Sequence, residues 1–253
     1  MKCIILAGGY ATRLYPLTEN FPKPLLPVKQ TTILDRLVDD VSEIENIDEI
    51  VVVSNHKFIN IFQKWKNQKV CDTLITLLDD GSTENDNRLG AVKDIAFAIR
   101  KRDIRDDILV LAGDNLLDFS LKEFVRYFEK KHKTCVMIHR ETSFEKLRKT
   151  GVAQIDDDFK IIDMQEKPEE PKSEWAVPPF YIYPTETLDT ILNCVDNKKC
   201  NLDAPGDFIA WFCEKKEVYA WEMQGTRYDV GTLESYNSCL LYTSPSPRDS
   251  TSS

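Results

Sequence analysis

The chain has 253 residues and a formal net charge of -9, and an acidic chain offers no broad basic field to gather phosphates. Nucleic acid and anionic membrane are therefore argued against as partners, and any anionic ligand has to be held by a few local cations. With 42% hydrophobic and 30% charged residues, and no apolar run near the roughly 18 residues that span a bilayer, it reads as soluble, one α/β domain with room for a subdomain.

In chain order, short apolar runs at residues 3–7, 49–54, 73–78 and 108–112 predict strands. The segments between them, 33–44, 58–65 and 91–99, carry apolar residues at three- and four-residue spacing and predict helices. Strand and helix alternating in this way predict a Rossmann-like fold: a mixed, mainly parallel sheet, buried on both faces and flanked by helices. Such a sheet takes its ligand at the carboxyl ends of its strands, where Gly8-Gly9 and Gly113-Asp114 fall. Beyond Asp114 the pattern gives a helix over 121–131, strands over 134–139, 152–155, 161–166 and 176–183, and helices over 187–195 and 207–214. No linker interrupts the series, so residues 1–240 read as one domain with a nucleotide half, 1–115, and a second-substrate half, 116–240. The terminal LYTSPSPRDSTSS, residues 241–253, is rich in Ser, Thr and Pro without apolar periodicity and reads as a disordered tail or an assembly scar.

The seven cysteines, Cys3, Cys71, Cys135, Cys194, Cys200, Cys213 and Cys239, form no CxxC pair and are odd in number. With no signal-like N-terminus they read as reduced thiols of a cytoplasmic protein. His56, His132 and His139 lack metal-ligand spacing, the run from Arg100 to Asp107 reads as a solvated helix end, and the four tryptophans read as core or subunit-contact residues, which leaves a homo-oligomer open.

The first strand runs directly into LAGGYATRLYPLTENFPKPLLPV, residues 6–28. Glycines lack a Cβ, so a strand ending in Ala7-Gly8-Gly9 lets backbone amides approach a phosphate. The spacing is neither that of a P-loop, GxxxxGK[ST], nor that of a dinucleotide fold, GxGxxG. It offers instead Arg13 beside the turn and Lys23 within Pro22-Lys23-Pro24, and prolines at 16, 22, 24 and 27 predict a stiff, extended lid. A lysine on stiff backbone beside a glycine nest suits a phosphate whose charge changes during reaction.

The same stretch resembles the signature of the sugar-phosphate nucleotidyltransferases, the family of glucose-1-phosphate thymidylyltransferase, LxGGxGTRLxPLT followed by PKPLLPV. Ala11 stands where the usual form has glycine. LAGDN at 111–115 resembles the strand end whose aspartate binds Mg²⁺, here Asp114. TGVAQID and MQEKPEEP resemble the sugar-phosphate half, implying roles for Gly151, Glu166 and Lys167. AVPPFYIYP resembles the AVxGxYxYD strand beside the sugar pocket, with Pro179 in place of glycine, and YDVGTLESY resembles the YDIGT motif whose aspartate, here Asp229, is the second metal ligand. Gly90, in a loop unusually rich in Asp and Asn, falls where the family meets the base with backbone.

The resemblance implies formation of an NDP-sugar and pyrophosphate from an NTP and a sugar 1-phosphate, with Mg²⁺ as cofactor and dTTP or UTP with glucose 1-phosphate as the expected pair. It implies Leu6, Ala7, Gly8, Gly9 and Gly90 at the nucleotide, and Arg13, Lys23 and Asp114 at the reacting phosphates. Asn115, Gly151, Glu166, Lys167, Val177 and Tyr181 would then meet the sugar phosphate, and Asp114 with Asp229 the metal. Because the nucleophile is already an anion, no covalent enzyme intermediate is needed. Cytidylyl- and guanylyltransferases of the same family stay open, as does an inactive sugar-nucleotide-binding module. That last reading predicts loss of Arg13, Lys23, Asp114 or Asp229, all of which are present. A nicotinamide oxidoreductase fails on its missing GxGxxG.

Overall fold

A computed structural model describes residues 1–242, apart from the side chains of 238, 239, 241 and 242. The first half runs β1 (Lys2–Leu6), β2 (Pro27–Val28), β3 (Thr31–Thr32), α1 (Ile33–Ser42), β4 (Glu49–Ser54), α2 (Ile59–Gln68), β5 (Leu74–Asp79), α3 (Ala91–Arg102) and β6 (Ile108–Ala112). The second runs β7 (Asn115–Leu117), α4 (Lys122–Lys131), β8 (Thr134–Arg140), α5 (Phe144–Leu147), β9 (Gly151–Ile155), β10 (Ile161–Glu166), β11 (Trp175–Val177), β12 (Phe180–Tyr183), α6 (Thr185–Asp196), α7 (Gly206–Phe212), β13 (Val218–Glu222), β14 (Arg227–Asp229) and α8 (Leu233–Tyr242). Helix α8 passes through the boundary placed at residue 240, and residues 243–253, read as a tail, lie outside the described residues. No helix among the described residues is long and apolar enough to cross a membrane.

One mixed sheet runs in the order β10-β9-β11-β8-β12-β6-β1-β4-β5, with β13 also pairing β8. Strands β6, β1, β4 and β5 are mutually parallel, as the alternation of strand and helix requires, and the other half is largely antiparallel. Alternate side chains enter two cores. Ile4, Val51, Val53 and Val110 pack under α3, α6 and α7, while Cys3, Ile5, Val52 and Leu109 pack under α1, α2 and α4. Helix α1 starts on a capping box in which Thr32 and Asp35 satisfy each other's backbone donors. Asp35 also accepts from the Trp65 indole at 2.9 Å, which locks α1 to α2.

Two expectations are corrected. The single strand over 176–183 is two strands, because Pro178-Pro179 supplies no backbone donors to a ladder. Its first piece pairs Ala176 with His139 and Val177 with Gly151, and its second pairs Tyr181 with both Val136 and Val110. The broken strand thus joins the antiparallel half to the parallel half. The proline-rich segment is not extended throughout either: residues Thr12–Leu14 and Lys23–Leu25 each form one 3-10 turn. Proline's fixed φ suits the first turn of a helix as well as it suits extended chain, and such a turn follows Pro22 and contains Pro24. The run from Arg100 to Asp107 is mostly exposed, as expected of a solvated helix end, with Arg102 reaching back to donate at 2.9 Å to the buried Glu49.

Tyr183, fully buried against Tyr181 and Phe208, keeps a hydroxyl without a hydrogen-bond partner among the described residues. Tyr183→Phe removes an unpaired polar atom and keeps the ring contacts. Its urea unfolding free energy is expected to hold or rise by about 1 kcal/mol. A fall of that size would show that the hydroxyl has a partner.

Candidate active site

Parallel pairing brings the carboxyl ends of β1, β4, β5 and β6 to one edge. Gly113 donates to the Leu6 carbonyl at 2.9 Å, Ala7 to Val53 at 2.8 Å and Asp80 to Ser54 at 2.9 Å, so the loops leaving all four strands start from one line. Above that line lies a cleft of about 460 Å³. Of the residues expected from the sequence, Leu6, Ala7, Gly8, Gly9, Arg13, Lys23, Gly90, Asp114, Lys167 and Asp229 line it.

The glycine turn is held from behind. Asn55, fully buried after β4, donates its side-chain amide to the Gly8 carbonyl at 2.9 Å and accepts from the Phe58 N–H at 3.0 Å. Ala11 sits in the left-handed region at φ 47° and ψ 42°, the conformation that the usual glycine would adopt without strain. Its carbonyl accepts from the Thr18 hydroxyl at 2.8 Å and the Leu14 N–H at 2.9 Å, which hold it there. Arg13 is exposed at the cleft and has no ion pair among the described residues.

The Lys23 ammonium, only 7% exposed as a residue, lies 2.7 Å from Asp114 and 3.8 Å from Asp229. These aspartates are far apart in sequence and come together because β7 and β14 pair antiparallel with Asp229 opposite Asn115. Asn115 is itself buried. Its amide donates to Asp114 at 2.8 Å, and its side-chain oxygen accepts from Arg227. Among the described residues no group of three or more His, Cys, Asp or Glu is placed to hold a metal. Two carboxylates converging on one cation are nonetheless the donor set that Mg²⁺ asks of a protein, hard oxygens and only one or two of them.

Lys167 is exposed into the cleft with φ 46°, a strained value for a lysine, and its N–H is held by the Thr150 carbonyl at 3.1 Å. Glu166, one residue before it, turns inward against Gly151 and Gly206. A Cβ on Gly206 would meet its Oε2 at 1.9 Å. Burial pushes the Glu166 carboxyl up to about 7, with Lys167 opposing and Asp207 reinforcing the rise. Gly151, Val177 and Tyr181 do not line the cleft: Val177 packs beside Gly151, and Tyr181 is buried in the core against Tyr183.

The other end holds Gly90, expected from the sequence, and beside it Arg88, Asp80 and Asp94, which the sequence reading passed over. Gly90, at φ 96°, leads into α3, and a Cβ there would sit 2.5 Å from the Leu202 carbonyl. The free N–H groups of Ala91 and Val92 bond the carbonyls of Asp203 and Leu202. Arg88 forks onto the Asp203 carboxylate at 2.8 and 2.9 Å, so the polar loop is fastened at its end rather than freely solvated. Asp94, on the first turn of α3, and Asp80, after β5, both line the cleft beside Gly8. Asp94 is 7% exposed, and its Oδ1 has no hydrogen-bond partner among the described residues. Burial first, then the charge of Asp80, pushes its carboxyl up to about 8. The sequence signal was its position one helical turn after Gly90, which reads equally as an ordinary helix-start acid.

The profile of the nucleotidyl transferase family matches residues 2–243. A bifunctional protein GlmU of Methanocaldococcus jannaschii is 28% identical over 231 residues, 91% of this chain and 51% of that protein. A UTP–glucose-1-phosphate uridylyltransferase of Synechocystis is 28% identical over 244 residues, 93% of this chain and 61% of that one. The chain thus spans about half to three fifths of the length of these relatives. Among solved structures, a UDP-glucose pyrophosphorylase complexed with UDP-glucose superposes with a TM-score of 0.77 at 21% identity, covering 95% of this chain and 97% of that one. A UTP-bound UGPase of Acinetobacter baumannii gives 0.76 at 18%, covering 95% and 92%. At these identities the two structures speak to the fold.

An acid raised to about 8 stays protonated in the folded chain through the pH range where the unfolded chain, near the ordinary value of about 4, has released its proton. Folding stability therefore declines as pH rises from about 4 to 8 on account of Asp94, and no further beyond. Asp94→Asn removes that decline. Urea midpoints from pH 5 to 9 are expected to show the variant gaining on the wild type as pH rises; a difference independent of pH would refute the raised carboxyl.

Proposed function

This chain belongs to the nucleotidyl transferase family, and from that membership and the chemistry of the cleft we propose that it joins an NTP to a sugar 1-phosphate, giving an NDP-sugar and pyrophosphate. The observation that carries this reading is the Lys23 ammonium set between Asp114 and Asp229 on the floor of the cleft, next to a glycine turn. A phosphate nest, a fixed cation and a pair of converging carboxylates are together what transfer between two polyanions demands.

In the proposed reaction an oxygen of the sugar phosphate attacks the α-phosphorus in line. The new P–O bond forms as the bond to the β-phosphate oxygen breaks, and the electron pair leaves with pyrophosphate. Gly8 and Gly9 amides with Arg13 hold the triphosphate, Arg13 favouring the departing pyrophosphate. Lys23 balances charge on the α-phosphate, and Lys167 orients the incoming sugar phosphate. Asn115 acts through Asp114, which it fixes by hydrogen bond. Glu166, braced against Gly206, accepts from sugar hydroxyls. Mg²⁺, held by Asp114 and Asp229, would supply neutralising charge between the two polyanions. Glucose 1-phosphate remains the sugar expected from the sequence resemblance, and dTTP or UTP its expected partner. An NTP-consuming protein whose cysteines are free among the described residues is assigned, as part of this proposal, to the cytoplasm.

Lys23→Ala and Asp114→Asn are each expected to lower kcat for pyrophosphate release by about 100-fold or more, with unchanged circular dichroism. Near-normal turnover in both would sink the reading. Gly206→Ala, by evicting the Glu166 carboxylate, is expected to raise KM for the sugar phosphate by about 10- to 100-fold and leave KM for the NTP unchanged. Equal effects on both substrates would place Glu166 elsewhere in the reaction.

A further inference from the structure

The two glycines of the turn answer one need and create another. Without a Cβ at residues 8 and 9, a phosphate can come close to the backbone, but the peptide joining them is also the one in the turn that resists inversion least. A planar trans peptide carries its C=O and its N–H on opposite sides. Turned one way, the Gly8–Gly9 unit offers the Gly9 N–H to the cleft. Turned the other way, it offers a carbonyl oxygen, which repels phosphate.

Asn55 is placed to decide between them. It directly follows β4 and is fully buried. Its side chain is tied at both ends: Oδ1 accepts from the Phe58 N–H at 3.0 Å, and Nδ2 donates to the Gly8 carbonyl at 2.9 Å. The first bond settles which end of the amide is which, because only the oxygen can accept from an N–H. The nitrogen is then left facing Gly8. The backbone around Asn55 is held as well, since the Ser54 hydroxyl donates to the Asn55 carbonyl at 3.1 Å and the His56 N–H to the Ser82 carbonyl at 2.8 Å.

With its carbonyl bound on this buried side, the Gly8–Gly9 peptide points the Gly9 N–H the opposite way. Gly9 is exposed and lines the cleft, and its N–H has no acceptor among the described residues. Inversion of the peptide would strip Asn55 Nδ2 of its acceptor in a place closed to water, which is costly.

We propose that Asn55 is a positioning residue: by binding the Gly8 carbonyl it aims the Gly9 N–H into the cleft as a donor to a phosphate oxygen of the NTP. The inference deepens the transfer reading and rests on its placing of the triphosphate at the turn. Asn55 lies behind the turn, touches no substrate, and works through the peptide alone.

The test uses the full chain with its glycines labelled by nitrogen-15, and inorganic tripolyphosphate with Mg²⁺ as the probe. The Gly9 signal is the one that Gly9→Ala removes, a substitution for which a Cβ meets nothing within 4 Å. In the wild type the Gly9 amide is expected to move downfield as tripolyphosphate saturates. Asn55→Ala removes both side-chain bonds. Asn55→Asp keeps the acceptor for Phe58 and, ionised, has no donor for Gly8. Each is expected to weaken tripolyphosphate binding by about 10-fold or more and to lose most of the Gly9 shift, with KM for the sugar phosphate unchanged at saturating NTP. The Gly151 and Gly206 signals are expected to stay at their wild-type positions, which separates a turned peptide from a failed fold. Variants that lose stability but bind tripolyphosphate like the wild type, with the same Gly9 shift, overturn the proposal and leave the transfer reading standing. A Gly9 shift that both variants lose, without pyrophosphate from any NTP and sugar 1-phosphate, supports the aimed amide and overturns transfer. A wild type whose Gly9 signal tripolyphosphate does not move overturns the proposal, whatever its turnover.

Discussion

Strand β1 has a parallel neighbour on each side, and that constraint orders everything else. Parallel strands cannot be joined by a tight turn, so each neighbour is reached through a crossover helix, and every strand of the set then ends at the same edge. The loops after β1, β4, β5 and β6 start from that edge, and they carry Gly8, Asn55, Asp80 and Asp114. Residues remote in sequence become neighbours because their strands are in register. The broken strand β11–β12 extends the same logic into the second half. It pairs with β9 at one end and β6 at the other, so the position of Lys167 relative to the glycine turn is fixed by hydrogen-bond ladders rather than by a linker.

On the proposed function, an acidic chain that handles polyanions has to place charge locally. Lys23 is nearly buried between two carboxylates, an arrangement that keeps a cation desolvated yet compensated. At the opposite end Asp94, beside Gly8, has no ion pair among the described residues, and its burial is relieved by a proton instead. The net charge of -9 says nothing about either arrangement, because both depend on which few groups share a wall.

The parallel half was legible in the sequence, since buried strands and amphipathic helices leave different periodicities. The glycine turn and Lys23 were legible because glycine and proline carry backbone meaning that survives without coordinates. The prolines misled as well: Pro178-Pro179 cuts a run of residues that alternates like one strand, and a helical turn that follows Pro22 and contains Pro24 stands where extension was expected. Asn55, Arg88 and Asp94 were illegible for a different reason. Each acts through a partner more than 40 residues away or through burial set by another element, and nothing local distinguishes them from ordinary loop and helix polar residues. Asn115 was legible as part of a strand-end motif, but its side-chain bonds to Asp114 and Arg227 depend on a pairing between β7 and β14 that no local pattern announces.

Ala11 holds a left-handed turn with a residue that disfavours one, and the bonds from Thr18 and Leu14 keep it in place. A glycine there would leave the free loop a wider choice of shapes, to be given up, on the proposed function, when phosphate arrives. With alanine much of that choice is already lost when the chain folds. The seat is therefore rigid before its guest appears, and the entropy of ordering it falls on folding rather than on association.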